Sequence, residues 1–343
     1  MPVAREPVTQ RDVAASLGVS ISAVSLALSG RPGVGDDLRR RILDRAAELG
    51  YRPNASAVAL RTSRTRVLGL LIRNLRNPHF LDVIDGFDET CARAGYEVMV
   101  GSSRYDPTRE AQLVDAFQHR AIDGLAIAPI GTNHQVRERF SATGRPVVLL
   151  DTAAPDRATM SVRSDQEASV DLAVQHLLDL GHRRLAMVVA PDDKSPDPER
   201  LQHFRRLAAD LGFTADTVTT ELSADAARTA VREALERDPA TRPTAFITNS
   251  DYIAHTVYLA AADLGLSIPE DISVIGHDDL PTSATLCPAL TTIAVDRRGI
   301  GEQAATLLID ALAGSPAAQT NIVVPVELRV RASTARPAGG LRR

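Results

Sequence analysis

The sequence has very few cysteines and no long apolar run. Cys91 and Cys287 are the only two cysteines among 343 residues. Two are too few for a disulfide framework or a cysteine-ligated zinc site, and we expect both to be small buried apolar residues. No stretch approaches the roughly 18 apolar residues of a membrane-spanning helix, and the N-terminus lacks the apolar core of a secretory signal. These absences predict a cytoplasmic protein without a membrane partner.

Motifs of catalysis and cofactor binding are also missing. The sequence contains no G-x-S-x-G, no H-E-x-x-H and no phosphate-binding loop. The segment "GIGEQA" at 299–304 matches G-x-G-x-x-A, but polar residues precede it and no strand–helix–strand unit follows. His182 and His203 flank apolar segments, which favours packing or surface roles over metal ligation. We therefore expect no catalytic residue, no metal and no cofactor.

Charge is divided unevenly along a chain whose net charge is −4. Residues 1–66 carry 11 Arg against six acidic residues, whereas the remainder carries 28 basic and 37 acidic residues. Because Lys194 is the only lysine, a codon bias explains the choice of Arg over Lys, but it does not explain the change of sign. A basic N-terminal module on an acidic body predicts a polyanion as the partner of that module.

The basic module begins with two short helical patterns. Thr9 opens a Thr-x-x-Asp capping box, and Gly18 ends the first helix. Ser20 is placed to cap a second helix, which Gly30 ends, and a third helix is expected over about 37–49. Two short helices joined by a glycine-containing turn are typical of a helix-turn-helix, although many small helical bundles share the pattern. Outward positions of the second helix, suited to a major groove, are Ile21, Ser22, Ser25 and Leu26.

Beyond residue 66, apolar runs alternate with helical segments. This alternation predicts an α/β fold with doubly wound parallel sheets. Six or more such units in the remaining length indicate two similar lobes. The seven apolar runs lie at 67–72, 96–101, 124–128, 146–151, 184–190, 245–248 and 272–276.

The N-terminal sequence resembles that of lactose-repressor-like (LacI/GalR) transcription factors. The match runs through the first 60 residues and includes "VTQRDVAASLGVSISAVSLALSG" and "AAELGYRPN". The resemblance implies that the second helix reads the major groove. It further implies a hinge helix that forms on DNA, in which Leu60 matches the leucine that wedges into the minor groove and Ala57 matches the small residue between paired hinges.

The hinge residues fit that role physically. Pro53 stops the third helix, and Asn54 is placed to cap a helix of only six residues, too short to be stable alone. An apolar wedge bends the duplex, and nearby arginines meet phosphates; an ordinary Arg-rich linker is the alternative. The DNA-binding residues predicted in this way are Thr9, Ser20, Ile21, Ser22, Ser25, Leu26, Ser29, Asn54, Ala57, Leu60 and Arg61.

The module also departs from the family pattern. Leu26 stands where several relatives carry Arg, Gly35 where Ser is common, and Leu38 where Thr is common. Leu26 is unable to make a bidentate guanine contact, but it suits a thymine methyl. We therefore expect a different DNA sequence to be read with the same mode of docking.

The resemblance continues through the body, in "NPHF" at 77–80, "PEDISVIGHDDLP" at 269–281 and "PALTTIAVD" at 288–296. It implies an effector domain like the periplasmic sugar-binding proteins, whose chain crosses between two lobes three times, here near Asp165, Thr291 and Val323. The expected parts are a helix-turn-helix headpiece at 1–52, a hinge helix and linker at 53–66, an effector-binding and dimerisation domain at 67–333, and a tail at 334–343.

Ligands of such folds bind between the lobes, at the carboxyl ends of strands. Asp151 and Asp278 end strands, so their carboxylates suit hydroxyl groups, and Arg200 matches the effector-binding arginine of the family. The alternatives are helix caps or loop positions for the aspartates and a surface ion pair for Arg200. The predicted effector-binding residues are Arg73, Phe80, Asp151, Arg200, Ser250, Asp251 and Asp278.

Several cleft positions also depart from the family pattern. Leu222 stands where several relatives stack an aromatic ring on the sugar, which argues against stacking here. Ser250 replaces Asn, and Arg73 replaces a small polar residue and favours an acid-bearing effector. His277 replaces an aromatic residue and is placed to face the cleft.

Together these features predict a sequence-specific DNA-binding transcriptional regulator, a repressor, that binds a near-palindromic double-stranded DNA operator as a homodimer. A small-molecule effector in the interlobe cleft, a sugar or related metabolite, would control it. The tail lacks heptads, so no tetramerising coiled coil is expected. The alternatives are a cytoplasmic ligand-binding protein without DNA function and an enzyme on the same fold.

Overall fold

The computed structural model describes residues 8–51, 64–131, 135–152, 156, 159–191, 198–221, 223–315 and 319–338, with 135–137 as backbone only. The chain divides into two compact units, Met1–Thr65 and Arg66–Arg343. The predicted hinge residues Asn54, Ala57, Leu60 and Arg61, and also Leu222, lie outside the described residues.

The described residues of the N-terminal unit form three helices, α1 (Gln10–Leu17), α2 (Ile21–Leu28) and α3 (Asp36–Glu48). Gly18 ends α1 with φ 66°, a left-handed conformation that glycine adopts without strain. Apolar residues spaced three or four apart on the three helices form one small core, as their spacing predicts. Its fully buried members are Val13, Ala14, Val24, Ala27, Ile42 and Ala46.

None of the described helices is long and apolar enough to cross a membrane by itself. Only α1 and α2 taken together reach that length and apolarity, and the pair is bent by 112°.

The second unit begins with most of the first lobe. Its elements, in chain order, are β1 (Val67–Ile72), α4 (His79–Arg93), β2 (Glu97–Ser102), α5 (Pro107–His119), β3 (Gly124–Ile127), α6 (Gln135–Ser141), β4 (Val147–Leu150) and β5 (Met160–Ser164). The chain then builds most of the second lobe. Its elements are α7 (Gln166–Asp179), β6 (Arg184–Val189), α8 (Pro198–Leu211), β7 (Thr214–Thr219), α9 (Ala224–Leu235), β8 (Ala245–Thr248), α10 (Asp251–Asp263), β9 (Ser273–Asp278), a 3₁₀ helix (Pro281–Ala284) and β10 (Thr291–Val295).

Three C-terminal elements complete both lobes. They are α11 (Arg297–Ala313), β11 (Asn321–Val324) and β12 (Val326–Arg329). The first sheet has the order β11-β5-β4-β3-β1-β2 and is parallel throughout. The second has the order β12-β10-β9-β8-β6-β7, and only β12 is antiparallel to its neighbour. This is the predicted pair of doubly wound lobes.

The chain passes between the two sheets three times, after β5, after β10 and after β11. The first passage is at Asp165. The expected positions near Thr291 and Val323 are too early, because Thr291 begins β10 and Val323 lies within β11. Asp296 caps α11 by accepting the Gly299 N–H, and Pro325 has no N–H to continue a strand ladder, so the chain leaves each sheet there.

The expected tail also begins later than Thr334. His176 Nε2 lies 2.9 Å from the Thr334 hydroxyl, and His182 Nε2 lies 2.8 Å from the Ala335 carbonyl. The Ala335 N–H donates to the Ser273 hydroxyl at 3.1 Å. These contacts fix the segment to the second lobe, and they give His182 the packing role predicted for it.

The two cysteines differ in exposure. Cys91 is buried in α4 as expected, and burial raises the pKa of its thiol to about 12. Cys287 is exposed, so the expectation that it is buried is wrong. It lies in the loop between the 3₁₀ helix and β10.

Glycine permits α4 and α11 to approach backbone to backbone in the first lobe. A Cβ at Gly301 would collide with the Val83 carbonyl oxygen and with the Phe87 nitrogen. A Cβ at Gly86 would collide with the Arg298 carbonyl oxygen. Because the obstacles are backbone atoms, no side-chain rotation relieves them, and the helices must move apart to admit a methyl group.

We expect Gly301→Ala to lower the free energy of unfolding by about 1–3 kcal/mol, despite the higher helix propensity of alanine. Urea denaturation of the full chain measures this. Gln303→Ala, at an exposed position in the same helix, should change the value by less than about 0.5 kcal/mol. Equal stability of the two variants would contradict the close packing of the helices.

Candidate functional site

Three of the predicted DNA-binding residues are helix caps in the N-terminal unit. The Thr9 hydroxyl and N–H both donate to the Asp12 carboxylate, at 2.7 and 2.8 Å. These hydrogen bonds hold the pKa of Asp12 below its usual value. The Ser20 hydroxyl accepts the Ala23 N–H at 3.1 Å, and the Ser29 hydroxyl donates to the Ser25 carbonyl at 2.7 Å. All three residues therefore fix the ends of the helices that would be presented to DNA.

The outward face of α2 is small and partly apolar. Ile21 is 45% exposed, and Ser22 is exposed beside it at the start of the helix. Ser25 and Leu26 are half-buried, and Leu26 lies over Gly33 in the loop that follows. The most accessible predicted contacts are thus at the N-terminal end of α2, the end that enters a groove in helix-turn-helix proteins.

The second unit holds a cavity of about 370 Å³ between its two lobes. The carboxyl ends of strands from both sheets surround it, as expected from the fold. Six of the seven predicted effector-binding residues line it, namely Arg73, Phe80, Asp151, Arg200, Ser250 and Asp278. The cavity therefore lies where the sequence predicts it, and several polar residues that were not predicted also line it.

The most important omission is His79, the first residue of α4. Its Nε2 lies 3.1 Å from Asp151 Oδ2, and its Nδ1 lies 2.8 Å from Asp278 Oδ1. Arg73 Nη2 donates to the same Asp151 oxygen at 3.1 Å. All four side chains are at most 10% exposed. The segment "NPHF" is typical of the family, but nothing in it indicates that His79 contacts residues distant in sequence.

The two carboxylates keep the His79 ring charged. Burial opposes the charge, but Asp278 and Asp151 overcome it and raise the pKa of His79 to about 10. Burial also opposes ionisation of both carboxyls, but His79 lowers the pKa of each below its usual value. A cation at a helix N-terminus costs about 0.3–1 kcal/mol, less than the roughly 1.5–3 kcal/mol of each charged hydrogen bond. Two such bonds therefore outweigh the helix dipole.

Both aspartates occupy unusual backbone positions at strand ends. Asp151 has φ 48° and Asp278 has φ 112°, in the region that glycine favours. Such strain persists only where neighbours hold the chain in place. Arg297 holds the chain in place at Asp278. Its Nη1 donates to the Asp278 carbonyl, while its Nε donates to Asp82 of α4 at 2.9 Å.

Four residues that line the cavity each have a buried polar side-chain atom with no hydrogen-bond partner among the described residues. The four atoms are Asp278 Oδ2, Asn249 Oδ1, Gln166 Oε1 and His277 Nε2. Three of them are acceptors as placed. Buried polar atoms without partners are costly and are usually satisfied by a ligand or water. Phe80, Met187, Val189 and Ile253 supply apolar surface beside them, so the cavity suits a molecule with several hydroxyl groups on an apolar frame.

Asp251 does not line this cavity, which corrects its prediction as an effector-binding residue. Its carboxylate is fully buried behind the second sheet. It accepts hydrogen bonds from the Leu280 N–H at 2.8 Å and from the hydroxyls of Ser283 and Thr292, each at 2.5 Å. Burial raises its pKa to about 7. Asp251 therefore supports the loop after Asp278, while its neighbour Ser250 caps α10 and reaches the cavity.

Within the described parts of the chain, no cluster of three or more His, Cys, Asp or Glu side chains is placed to hold a metal ion.

We expect Asp251→Ala to lower the free energy of unfolding by about 2–4 kcal/mol, because an N–H and two buried hydroxyls lose their acceptor. Asp263→Ala is the matched control in the same helix, since Asp263 pairs with the exposed Arg228 at the surface, and it should have little effect. Urea denaturation of both variants decides the matter; similar, small losses would show that Asp251 does not support the loop.

Both units of the chain are similar to known protein families. The model of bacterial regulatory proteins of the lacI family matches residues 9–54, and that of a periplasmic binding protein-like domain matches residues 174–334. The transcriptional regulator MalR of Streptomyces coelicolor is 32% identical over 341 residues, which cover 96% of this chain and 97% of that protein. The ribose operon repressor of Escherichia coli is 30% identical over 307 residues, which cover 88% and 92%.

A solved structure is similar over nearly the whole chain. The lac repressor dimer bound to operator and the anti-inducer ONPF matches with a TM-score of 0.85 and 26% identity, covering 96% of this chain and 100% of that one. The helix-turn-helix unit, the two-lobed unit with its cavity and these relatives lead to one conclusion. The chain belongs to the lacI family of bacterial regulatory proteins, and it is a DNA-binding transcriptional regulator with an effector-binding domain.

Proposed function

We propose that this protein is a repressor that binds a near-palindromic operator as a homodimer in the cytoplasm. A small molecule rich in hydroxyl groups, a sugar or related metabolite, would occupy the interlobe cavity and change the affinity for DNA. The parts proposed for these tasks are the headpiece at 1–52, the hinge at 53–66 and the effector and dimerisation domain from 67 onward. The proposal rests on the polar atoms without partners at the cavity of the second unit, in a chain that also carries a DNA-binding unit.

The proposal that the protein binds an operator rests on the shape and charge of the N-terminal unit. Its reading helix offers Ile21 and Ser22 without a long side chain to hold it away from base edges. Eleven arginines in residues 1–66 supply phosphate contacts. The solved lac repressor is a dimer on its operator, which supports one headpiece per half-site here. Asn54, Ala57, Leu60 and Arg61 retain their proposed hinge role on sequence resemblance.

The effector half rests on the chemistry of the cavity. Asp278 Oδ2 and the carbonyl oxygens of Asn249 and Gln166 accept hydrogen bonds from hydroxyls. Arg200 of α8 lines the cavity beside Asn249 and supplies donors to hydroxyl oxygens. A relative named as a ribose operon repressor supports a sugar. We propose Arg73, Phe80, Asp151, Arg200, Ser250 and Asp278 as effector residues, with His79, Gln166, Asn249 and His277 added from the structure.

Selection of bound duplexes from a random library at moderate salt tests the DNA-binding half. We expect a near-palindromic consensus. Ile21→Ala should weaken binding to that consensus by about tenfold or more, because an apolar contact at a base edge is lost. Leu43→Ala, with 44% exposure against 45% for Ile21, truncates a similar side chain on α3 and should leave affinity within about threefold.

Failure to enrich any duplex, with or without cell metabolites as corepressor, would leave the alternative of a ligand-binding protein without DNA function. Equal affinity of the two alanine variants for an enriched duplex would show instead that α2 does not read the groove.

Thermal unfolding with a panel of monosaccharides, D-ribose first, tests the effector half. A ligand at about 100 times its Kd adds about 2.7 kcal/mol of stability and raises Tm. Asn249→Ala should leave the unliganded Tm almost unchanged, because the side-chain oxygen of Asn249 has no partner among the described residues. The substitution should reduce the ligand-induced shift. Asn321→Ala, in β11 and bonded to Ser161, is the control and should keep the shift.

If no hydroxyl-rich compound raises Tm while DNA binding persists, the effector is of another chemical class. A shift that is the same in Asn249→Ala and in the unmutated protein would place the ligand outside this cavity.

A further inference from the structure

The His79 side chain contacts both lobes. The residue belongs to α4 in the first lobe, where Asp151 also lies at the end of β4, whereas Asp278 ends β9 in the second lobe. One buried ring therefore reaches a carboxylate on each side of the cleft, at 3.1 and 2.8 Å. Side chains of the protein therefore join the two lobes across the cleft without a ligand.

We propose that His79 is a latch of the effector domain, which ties Asp278 of the second lobe to Asp151 of the first and thereby favours the closed cleft before an effector binds. The consequence for effector affinity rests on the proposed function above, whereas the latch itself does not.

The latch requires both ring nitrogens to carry hydrogen. A neutral imidazole has one donor and one acceptor, so it satisfies only one of two facing carboxylates. Loss of the proton would leave Asp151 and Asp278 with one bond fewer and with uncompensated negative charge. Release of Asp278 by moving the second lobe away relieves both problems, because each carboxylate then returns to water.

Groups on every neighbouring element support the same charge state. Arg73 after β1 already holds Asp151, and the half-buried Tyr105 after β2 has a pKa that is raised chiefly by desolvation. His277 of β9 lies 3.2 Å from Asp278, and burial followed by the charge of Arg200 on α8 lowers its pKa and keeps it neutral. The His79 ring is therefore the charged group that contacts both Asp151 and Asp278 across the cleft.

A second tie runs from the same helix but does not titrate. Arg297, where α11 begins, donates to the Asp278 carbonyl and to Asp82 of α4. Arginine stays charged at all relevant pH values. The first turn of α4 is therefore joined to Asp278 through two bridges, of which only the His79 bridge responds to pH.

The direction of the pH effect follows from linkage. In the closed cleft, burial opposes the charge on His79, but Asp278 and Asp151 raise its pKa to about 10. Opening removes Asp278 while Asp151 stays beside the ring, so the pKa of His79 is lower in the open cleft. The favourable effect of the His79 charge on closure is therefore complete below the pKa of the open form and is lost as the pH rises toward 10. An effector that binds the closed cleft should lose affinity over the same range.

Distances between spin labels on the two lobes test the latch without effector or DNA. Thr108→Cys in the first turn of α5 and Asp225→Cys in the first turn of α9 place labels at exposed positions of opposite lobes. Cys287→Ser removes the exposed thiol, and the buried Cys91 does not react. We expect the full chain to show mainly the short distance at pH 6.5 and a growing long distance up to pH 9.5.

His79→Phe keeps an aromatic ring beside Phe80 but removes the bridge, so its distance distribution should favour the open form and be independent of pH. Asp278→Asn should also remove the pH dependence, and His79→Gln provides a second variant should the phenylalanine impair folding, which circular dichroism reveals. Identical distributions for unmutated protein and folded His79 variants at pH 6.5 and 9.5 would overturn the latch. DNA binding in the same samples is scored separately, so its loss alone would bear on the proposed function and not on the latch.

Discussion

The arrangement of the second unit depends on one constraint, that the carboxyl ends of two parallel sheets face each other across a cleft. Strand ends collect backbone turns and polar side chains because the ladder stops there. Three passages of the chain between the sheets, at Asp165, Asp296 and Pro325, keep the two sets of strand ends together. Everything that lines the cavity, from Arg73 on one side to Asp278 on the other, follows from that placement.

Electrostatics then decides what the cavity accepts. Two buried aspartates alone would repel each other and attract a cation, but Arg73 and His79 supply positive charge from the first lobe. Each carboxylate is therefore paired within the protein, while Asp278 Oδ2 has no partner among the described residues. The backbone strain at Asp151 and Asp278 is concentrated at the same place, where Arg297 and the buried Asp251 hold the surrounding loops.

The sequence was sufficient for the parts of the structure that depend on periodicity. All seven apolar runs became strands, because a strand covered by helices on both faces must be apolar along its length. Strands β5, β7 and β11 contain polar or exposed residues and gave no such signal; β7 and β11 lie at or near sheet edges, where alternate residues meet solvent. Family resemblance located six cavity residues, but Asp251 was misplaced, because Ser250 lines the cavity whereas the adjacent Asp251 is bound to Leu280, Ser283 and Thr292. His79 was missed, because its partners are 72 and 199 residues away in sequence.

The position of the last elements along the chain has a consequence for how the protein is made. The first sheet lacks an edge strand until β11 (Asn321–Val324) emerges, and the second lobe is not finished until Ala335 reaches His182. The three described helices of the N-terminal unit, by contrast, lie within Gln10–Glu48. Domains generally fold as units during synthesis. A ribosome that stops before the final residues would therefore release a chain with an intact DNA-binding unit and no working control domain, and the placement of the closing strands at the C-terminus makes such a chain incompletely folded and open to proteolysis.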